Sequence, residues 1–336
     1  GGWEVSVFVV TVTYGNRFHL LKQVIDSALL EGVSKIIVVD NNSAPESRER
    51  LKAYEEELGN EKIKVLYLDE NYGSAGGYKI GLEEAYKDPN CEFIWLLDDD
   101  NKPLEGSLRE LLRFWDSLEI IDKEQKVALL SYRFNFLWSH VIKYRTIKGK
   151  QPIELLKNSF CGFHIADLPT KLFLWFKFIH ISENDNNTFK VLTLPVAPYG
   201  GLYISKKLLD VIGFPNRDFY LYGDDTEWTY RITKTGGNIY LVLNSKVEDL
   251  TLTYGKTPMV YNISKGDIYR VYYSIRNATY FQINNSLIKN KLIYTLNMLV
   301  YIAAIGVCSR KNLKIIIKAI KDAYRGKLGK VDLGEL

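Results

Sequence analysis

The chain is poor in cysteine. Cys91, Cys161 and Cys308 are the whole supply in 336 residues. Three widely spaced cysteines make neither a disulfide framework nor a zinc site, so a reducing compartment is expected. Long uncharged apolar runs are also missing. Leu172 to Ile179 is too short and interrupted to span a bilayer, and Leu287 to Val307 carries Lys289 and Lys291. The net charge of +4 is too small to imply nucleic acid, and no aromatic-interleaved basic motif occurs. No G-x-G-x-x-G follows the first apolar stretch, and no G-x-x-x-x-G-K-[ST] occurs, so the common dinucleotide and P-loop sites are excluded. No internal repeat or low-complexity segment is visible. The apolar opening carries Glu4 and reads as a strand, not a signal peptide. What remains is ordinary for a soluble globular protein, with 46% hydrophobic and 25% charged residues. Tyrosine is abundant, at 23, which suits either an amphipathic binding surface or a well-packed core.

Strand and helix patterns alternate along the first hundred residues. Val5 to Thr13 is β-branched and apolar, as a strand buried on both faces would be. His19 to Leu30 has helical spacing, Lys35 to Asp40 reads as a second strand, and Glu46 to Leu58 as a charged helix. Lys64 to Leu68 is a third strand. A Gly-rich loop, Asn71 to Gly77, precedes a helix over Tyr78 to Tyr86, and Phe93 to Leu97 is a fourth strand. This alternation predicts a mostly parallel sheet with helices on both faces. Ligands in such sheets sit at the carboxyl ends of the strands, where Tyr14, Asp40, Gly76 and Asp98 all fall. Gly76 and Gly77 permit close backbone approach to a phosphate, though a helix-entry turn explains them equally well.

The fourth strand ends in Asp98, Asp99 and Asp100, closed by Asn101 and Pro103. Three adjacent carboxylates repel one another. A solvated turn tolerates them, and a hard divalent cation gathers them. A second acidic group, Asp224, Asp225 and Glu227, opens a helical stretch over Trp228 to Lys234. Capping and the helix dipole favour one such residue, but three in four positions exceed what a cap requires.

The segments VTYGNR, VVDNNS, NYGSAGG and LLDDDN, in this order, resemble the nucleotide-binding half of inverting family-2 glycosyltransferases. The resemblance covers Val5 to Pro103 and resumes at Pro198. It implies an α/β GT-A fold, Rossmann-like, with a C-terminal helical extension. It also implies a GT-A domain over 1–256, with a nucleotide-binding half 1–103 and a catalytic half 104–256. The latter would carry an insertion at 139–190, and a helical region would follow over 257–336. Thr13, Tyr14 and Asp40 are implied to face base and ribose, with Arg17 and Asn71 in the adjoining loops. Gly76, Gly77, Asp98 and Asp99 extend that nucleotide-sugar site. Gly200 and Gly201 would lie close to the donor sugar, and Trp228 would complete the set. The implied cofactor is Mn2+ or Mg2+, held by Asp98 and Asp100.

Inversion needs one base to deprotonate the acceptor hydroxyl, and a metal to stabilise the departing diphosphate. By resemblance to bacterial galactofuranosyltransferases, Asp225 is the base, and Asp224 and Glu227 hold acceptor or sugar hydroxyls. That motif favours UDP-galactofuranose over a dTDP-rhamnose donor. Relatives usually place a histidine after the next strand, read here as Ile239 to Leu243. None occurs, and Glu248 is the candidate third ligand. The acceptor is expected to be a glycan or lipid-linked glycan, at the cytoplasmic face of a membrane. The basic tail could rest on that membrane or form a helical pair. Arg276 is expected to serve packing rather than phosphate. His164 and His180 read as structural. A non-catalytic sugar-nucleotide-binding module and a nucleotidyltransferase are the rivals from other classes.

Overall fold

The computed structural model describes residues 4–135, 155, 157–167, 191–251, 268–308 and 312–334. Most of the expected insertion, including the Leu172 to Ile179 run and His180, lies outside the described residues. Two compact units divide the chain. One comprises Gly1–Ile153, Lys190–Tyr220 and Asp224–Gly255, the other Glu154–Phe189, Leu221–Gly223 and Lys256–Leu336.

The first unit is a sheet with helices on both faces. Its opening elements are β1 (Val7–Thr13), α1 (Phe18–Leu30), β2 (Lys35–Asp40), α2 (Pro45–Leu58), β3 (Ile63–Tyr67), α3 (Gly73–Lys87) and β4 (Phe93–Leu96). There follow β5 (Asn101–Pro103), α4 (Ser107–Ser117), β6 (Val127–Arg133), β7 (Val191–Leu194), β8 (Leu202–Ser205), α5 (Leu208–Ile212), α6 (Asp224–Lys234) and β9 (Asn238–Asp249). Among the described residues the strand order is β3-β2-β1-β4-β8-β6-β9-β5, with β7 paired to β9.

The alternation of strand side chains builds two cores. Phe8, Val10 and Val12 of β1 join Tyr78 and Leu82 of α3 and Trp228 of α6 on one face. Val7 and Val9 join α1, Leu51 of α2 and Trp115 of α4 on the other. This is why β1 reads as an unbroken apolar run.

β1 pairs in parallel with β2 and β4, and β2 with β3. β8 is antiparallel to both β4 and β6. Two reversals restore the direction, so β6 runs with β1–β4, and β9 runs parallel to β6. The carboxyl ends of β1, β2, β4, β6 and β9 therefore reach the same edge of the sheet.

Two boundaries differ from the sequence reading. Helix α3 starts at Gly73, inside the stretch expected to be a loop. Its glycines serve packing: a Cβ on Gly77 would lie 2.7 Å from Val12, and one on Gly81 would lie 2.6 Å from Val10. Glycines four apart share a helix face, so α3 lies unusually close to the sheet. Strand β9 runs on to Asp249 instead of ending at Leu243. Its second half alternates, with Asn244 and Lys246 exposed and Ser245, Val247 and Asp249 buried.

The second unit holds α7 (Ile268–Asn284), α8 (Lys291–Cys308) and α9 (Leu313–Tyr324). Tyr272 of α7 donates to Asp322 of α9 at 2.6 Å. Arg276 is buried over the rings of Tyr272 and Tyr273 and donates to the Gly329 carbonyl at 2.6 Å. It serves packing. His164 accepts from the Ala166 N–H at 3.1 Å, a local turn contact. Among the described residues no helix is long and apolar enough to cross a membrane.

Candidate functional site

Each Asp of the triplet has its own setting. Asp99 is buried. Arg17 grips it with two bonds, Nε at 2.9 Å and Nη2 at 2.7 Å, and Thr13 Oγ1 adds a third at 2.9 Å. Burial pushes the Asp99 carboxyl up to about 6 in spite of those bonds. At Arg17 burial works the other way, and the bonds and charge of Asp99 outweigh it and raise the guanidinium. Desolvation thus cancels much of what this pair gains. Its role is to clamp the β1 loop to the β4 end.

Asp98 is half-buried. Its Oδ1 accepts from Tyr78 Oη at 2.5 Å, and its N–H donates to Asn101 Oδ1 at 3.0 Å. Burial, first of all, raises its carboxyl, against the lowering effect of Arg133. Asp100 accepts from Thr251 on Oδ2, and Arg17 Nη2 lies 3.5 Å from the same oxygen. Gly200 covers the cluster closely. A Cβ there would collide with Asn101 Oδ1 and lie 2.8 Å from Asp98 Oδ2. Gly201, at φ +96°, donates its N–H to the Leu96 carbonyl at 2.7 Å.

The second acidic group is the first turn of α6. Asp224 is buried and accepts from Ser74 Oγ at 2.9 Å and Tyr199 Oη at 2.7 Å. Tyr199 stacks on Tyr78 with ring centroids 4.1 Å apart. A continuous path therefore runs from Asp98 through Tyr78 and Tyr199 to Asp224. It joins two acidic groups that are far apart in the sequence. Asp225 accepts from the Thr226 N–H at 2.8 Å, within its own helix turn. Burial raises its carboxyl, the charge of Asp98 raises it further, and Arg133 opposes. Asp224 is raised as well, by burial and then by Asp225. Asp225 is thus a half-buried carboxylate in the field of Asp98, with no distant side chain bonded to it among the described residues.

Several expected residues are committed elsewhere. Trp228 is completely buried, with its Nε1 bonded to the Gly213 carbonyl at 2.9 Å, and so cannot touch a ligand. Glu227 is gripped by Arg231, one helix turn on, through bonds of 3.0 and 2.8 Å. Asp40 is buried and binds the Ser43 N–H at 2.7 Å and Arg48 Nε at 3.0 Å, so its carboxylate fixes the turn into α2. Gly76 and Gly77 are buried against Tyr72 and Val12. Asn71 Oδ1 accepts from the Gly73 N–H at 2.8 Å and shapes the entry to α3. Tyr14 is exposed at the rim, its ring 5.0 Å from the Arg17 guanidinium.

Glu248 pairs with Lys102 across β5 and β9. Strand alternation turns it to the face opposite Asp249. Asp249 is the residue that reaches the site. It accepts from Arg133 Nη2 at 2.6 Å and Asn101 Nδ2 at 2.7 Å. Among the described residues no three His, Cys, Asp or Glu side chains gather around one metal position. Among the described residues Asp98 Oδ2 and one oxygen of Asp100 carry no hydrogen bond. One or two carboxylates with substrate phosphates are the usual holders of magnesium. The donor set therefore fits a divalent ion, which Asp98 and Asp100 could hold.

Tyr78, Tyr199, Arg133 and Asp249 were not foreseen as site residues. For the last two a signal existed, because each is a charged residue closing a strand at the ligand edge.

A Rossmann-like sheet with carboxylates from β4 and α6 at its carboxyl edge is the GT-A class of architecture. Residues 8–127 match the family described as Glycosyl transferase family 2. The chain is 31% identical over 114 residues to a protein of Bacillus subtilis (strain 168) named as a teichuronic acid biosynthesis glycosyltransferase, TuaG. That match covers 33% of this chain and 42% of TuaG. It is 22% identical over 273 residues to the dTDP-rhamnosyl transferase RfbF of Shigella flexneri, 81% of this chain and 78% of that one. It is 30% identical over 110 residues to the galactofuranosyltransferase GlfT1 of Mycolicibacterium smegmatis, 32% of this chain and 33% of GlfT1. Two solved structures share the fold, each at TM-score 0.53 and 14% identity. They are GalNAc-T7 with UDP, GalNAc and Mn2+, and the mannosyltransferase PcManGT from Pyrobaculum calidifontis with GDP-Man and Mn2+. This chain covers 57% of the first and 80% of the second.

Proposed function

We propose that the chain is an inverting, metal-assisted glycosyltransferase using a nucleoside-diphosphate sugar. One observation carries this reading: Asp225 stands half-buried in the field of Asp98, in a stretch tied to the donor-side carboxylates by the stacked Tyr78 and Tyr199. Asp98 and Asp100 would hold the Mn2+ or Mg2+ that meets the diphosphate. Asp225 would take the proton of the attacking hydroxyl, and burial supports that by making it a stronger base than an exposed aspartate. Tyr14, at the rim, offers a face on which the nucleotide base can stack.

UDP-galactofuranose is the favoured donor, on the acidic motif opening α6 and the likeness to GlfT1. The second reading is dTDP-rhamnose, favoured because the likeness to RfbF spans most of both chains. The acceptor is a hydroxyl of a glycan, free or lipid-linked. The basic C-terminal segment supports peripheral contact with an anionic membrane. Residues 257–336 hold 13 Lys and Arg against 4 Asp and Glu, so the rest of this +4 chain is net acidic. Leu292, Leu296 and Leu299 form an exposed stripe on α8.

The test is donor turnover. Purified protein, manganese and either UDP-galactofuranose or dTDP-rhamnose are incubated, and release of the nucleoside diphosphate is followed with and without a glycan acceptor. Release of UDP supports the first reading and release of dTDP the second. Release of neither, from a protein that binds both, would mean a non-catalytic module.

A further inference from the structure

Arg133, the last residue of β6, has no assigned role. We propose that Arg133 is a fixed cation that binds the donor diphosphate and offsets its growing charge as it departs, a role resting on the glycosyltransferase reading above.

Topology brings it there. β8 reverses direction between β4 and β6, so Arg133 emerges at the same sheet edge as Asp98. β9 runs parallel to β6 and delivers Asp249 beside it. Asp249 holds one edge of the guanidinium, accepting from Nε at 2.9 Å and from Nη2 at 2.6 Å. Asn101 fixes Asp249 in turn at 2.7 Å. The other arm, Nη1, lies 3.8 Å from Asp98 Oδ2. A Cβ on Gly200 would come within 3.0 Å of that same Nη1, so the glycine keeps side-chain bulk off the guanidinium. Its field also reaches Asp100 and Asp225.

The charge balance gives this arginine its importance. Asp98, Asp99, Asp100, Asp224, Asp225 and Asp249 crowd the edge, and Arg17 is spent on Asp99. A diphosphate entering such a site meets repulsion unless cations precede it. A divalent ion held by Asp98 and Asp100 would supply part of that charge, and Arg133, anchored by Asp249, supplies the rest at no reorganisation cost. In transfer, the acceptor oxygen bonds to the anomeric carbon and its proton passes to Asp225. The bond from that carbon to the diphosphate oxygen breaks, and its electron pair leaves on the diphosphate. That oxygen gains negative charge, and a charge-assisted hydrogen bond to a guanidinium strengthens as it does.

The test compares a nucleoside diphosphate with its monophosphate, so it needs no turnover. UDP and UMP are titrated into the protein by calorimetry, with manganese and again with EDTA. GDP with GMP, and dTDP with dTMP, serve as further pairs. Arg133→Lys is one variant. Arg133→Gln with Asp249→Asn is the second, because removing both charges does not leave the Asp249 carboxylate buried without its guanidinium. Circular dichroism and thermal melting verify both folds. The expected result is a loss of about tenfold or more in diphosphate affinity in both variants, with monophosphate affinity within about twofold. In EDTA the wild type should still prefer the diphosphate and the double variant should not. Unchanged affinities, or diphosphate and monophosphate falling together, would overturn the role. A wild type that binds no nucleotide of any pair would overturn the glycosyltransferase reading, and this inference with it.

Discussion

At the scale of single residues, the site is a set of carboxylates with different tasks. Asp99 and Asp224 are clamps, while Asp98, Asp100 and Asp225 keep acceptor capacity facing the ligand edge. Asp225→Asn should lower transfer by about 10²–10⁴-fold, the usual worth of a general base, with nucleoside diphosphate affinity kept. Steady-state kinetics beside calorimetry checks it, and a variant of full activity would remove Asp225 from the mechanism. The raised carboxyl of Asp225 also sets a pH limb. Activity should rise with pH as the base ionises, with a midpoint above the ordinary aspartate range, in a profile of kcat/KM. Stability should move the opposite way. Between about pH 4 and pH 6 the native state holds protons on Asp99 that the unfolded chain has released. That contribution is therefore complete below the unfolded value and is lost as pH rises through the folded one. Urea unfolding across that range should show the decline, and Asp99→Asn should lessen it, the raised Asp224 and Asp225 supplying the rest.

Among the elements, β1, β2 and β4 were legible because burial on both faces leaves a nearly unbroken apolar signature, and β3 because it alternates around exposed Lys64. The start of α3 was not, because its glycines read as a loop although their physical use is contact with Val10 and Val12. The second half of β9 was hidden by its alternation, since Asn244 and Lys246 face outward and look like the end of a strand. β5, only Asn101-Lys102-Pro103, reads as a turn and exists because β9 pairs with it. The site shows the same split. Its acidic residues were visible by type and position, but Arg231 on Glu227 and Arg48 on Asp40 are commitments made only by the fold. Gly77→Ala tests the packing account. The added methyl meets Val12 Cγ1 at 2.7 Å, and overpacking of this kind costs about 1–3 kcal/mol. Thermal melting should show the loss, and adding Val12→Ala should recover part of it. Recovery would not occur if the glycine were needed only for backbone freedom.

For the whole molecule, the separation of charge is the main feature. An acidic remainder is joined to a strongly basic C-terminal segment, whose helix α8 exposes leucines. Sedimentation with vesicles should therefore recover the protein on anionic lipid and leave it free of zwitterionic lipid. Leu296→Glu with Leu299→Glu should reduce that binding, as should raised salt. Equal recovery on both lipids, or a soluble dimer abolished by the same substitutions, would assign the stripe elsewhere.

The most direct measurement of the central claim is thermal stabilisation by nucleotides and nucleotide-sugars, with and without manganese. A ligand at a hundredfold its Kd stabilises by about 2.7 kcal/mol, which a melting curve resolves easily. The account predicts a shift with a nucleoside diphosphate, larger with manganese and larger again with the matching sugar donor. The absence of a shift with every nucleotide and nucleotide-sugar, in both conditions, would contradict it and leave only the fold.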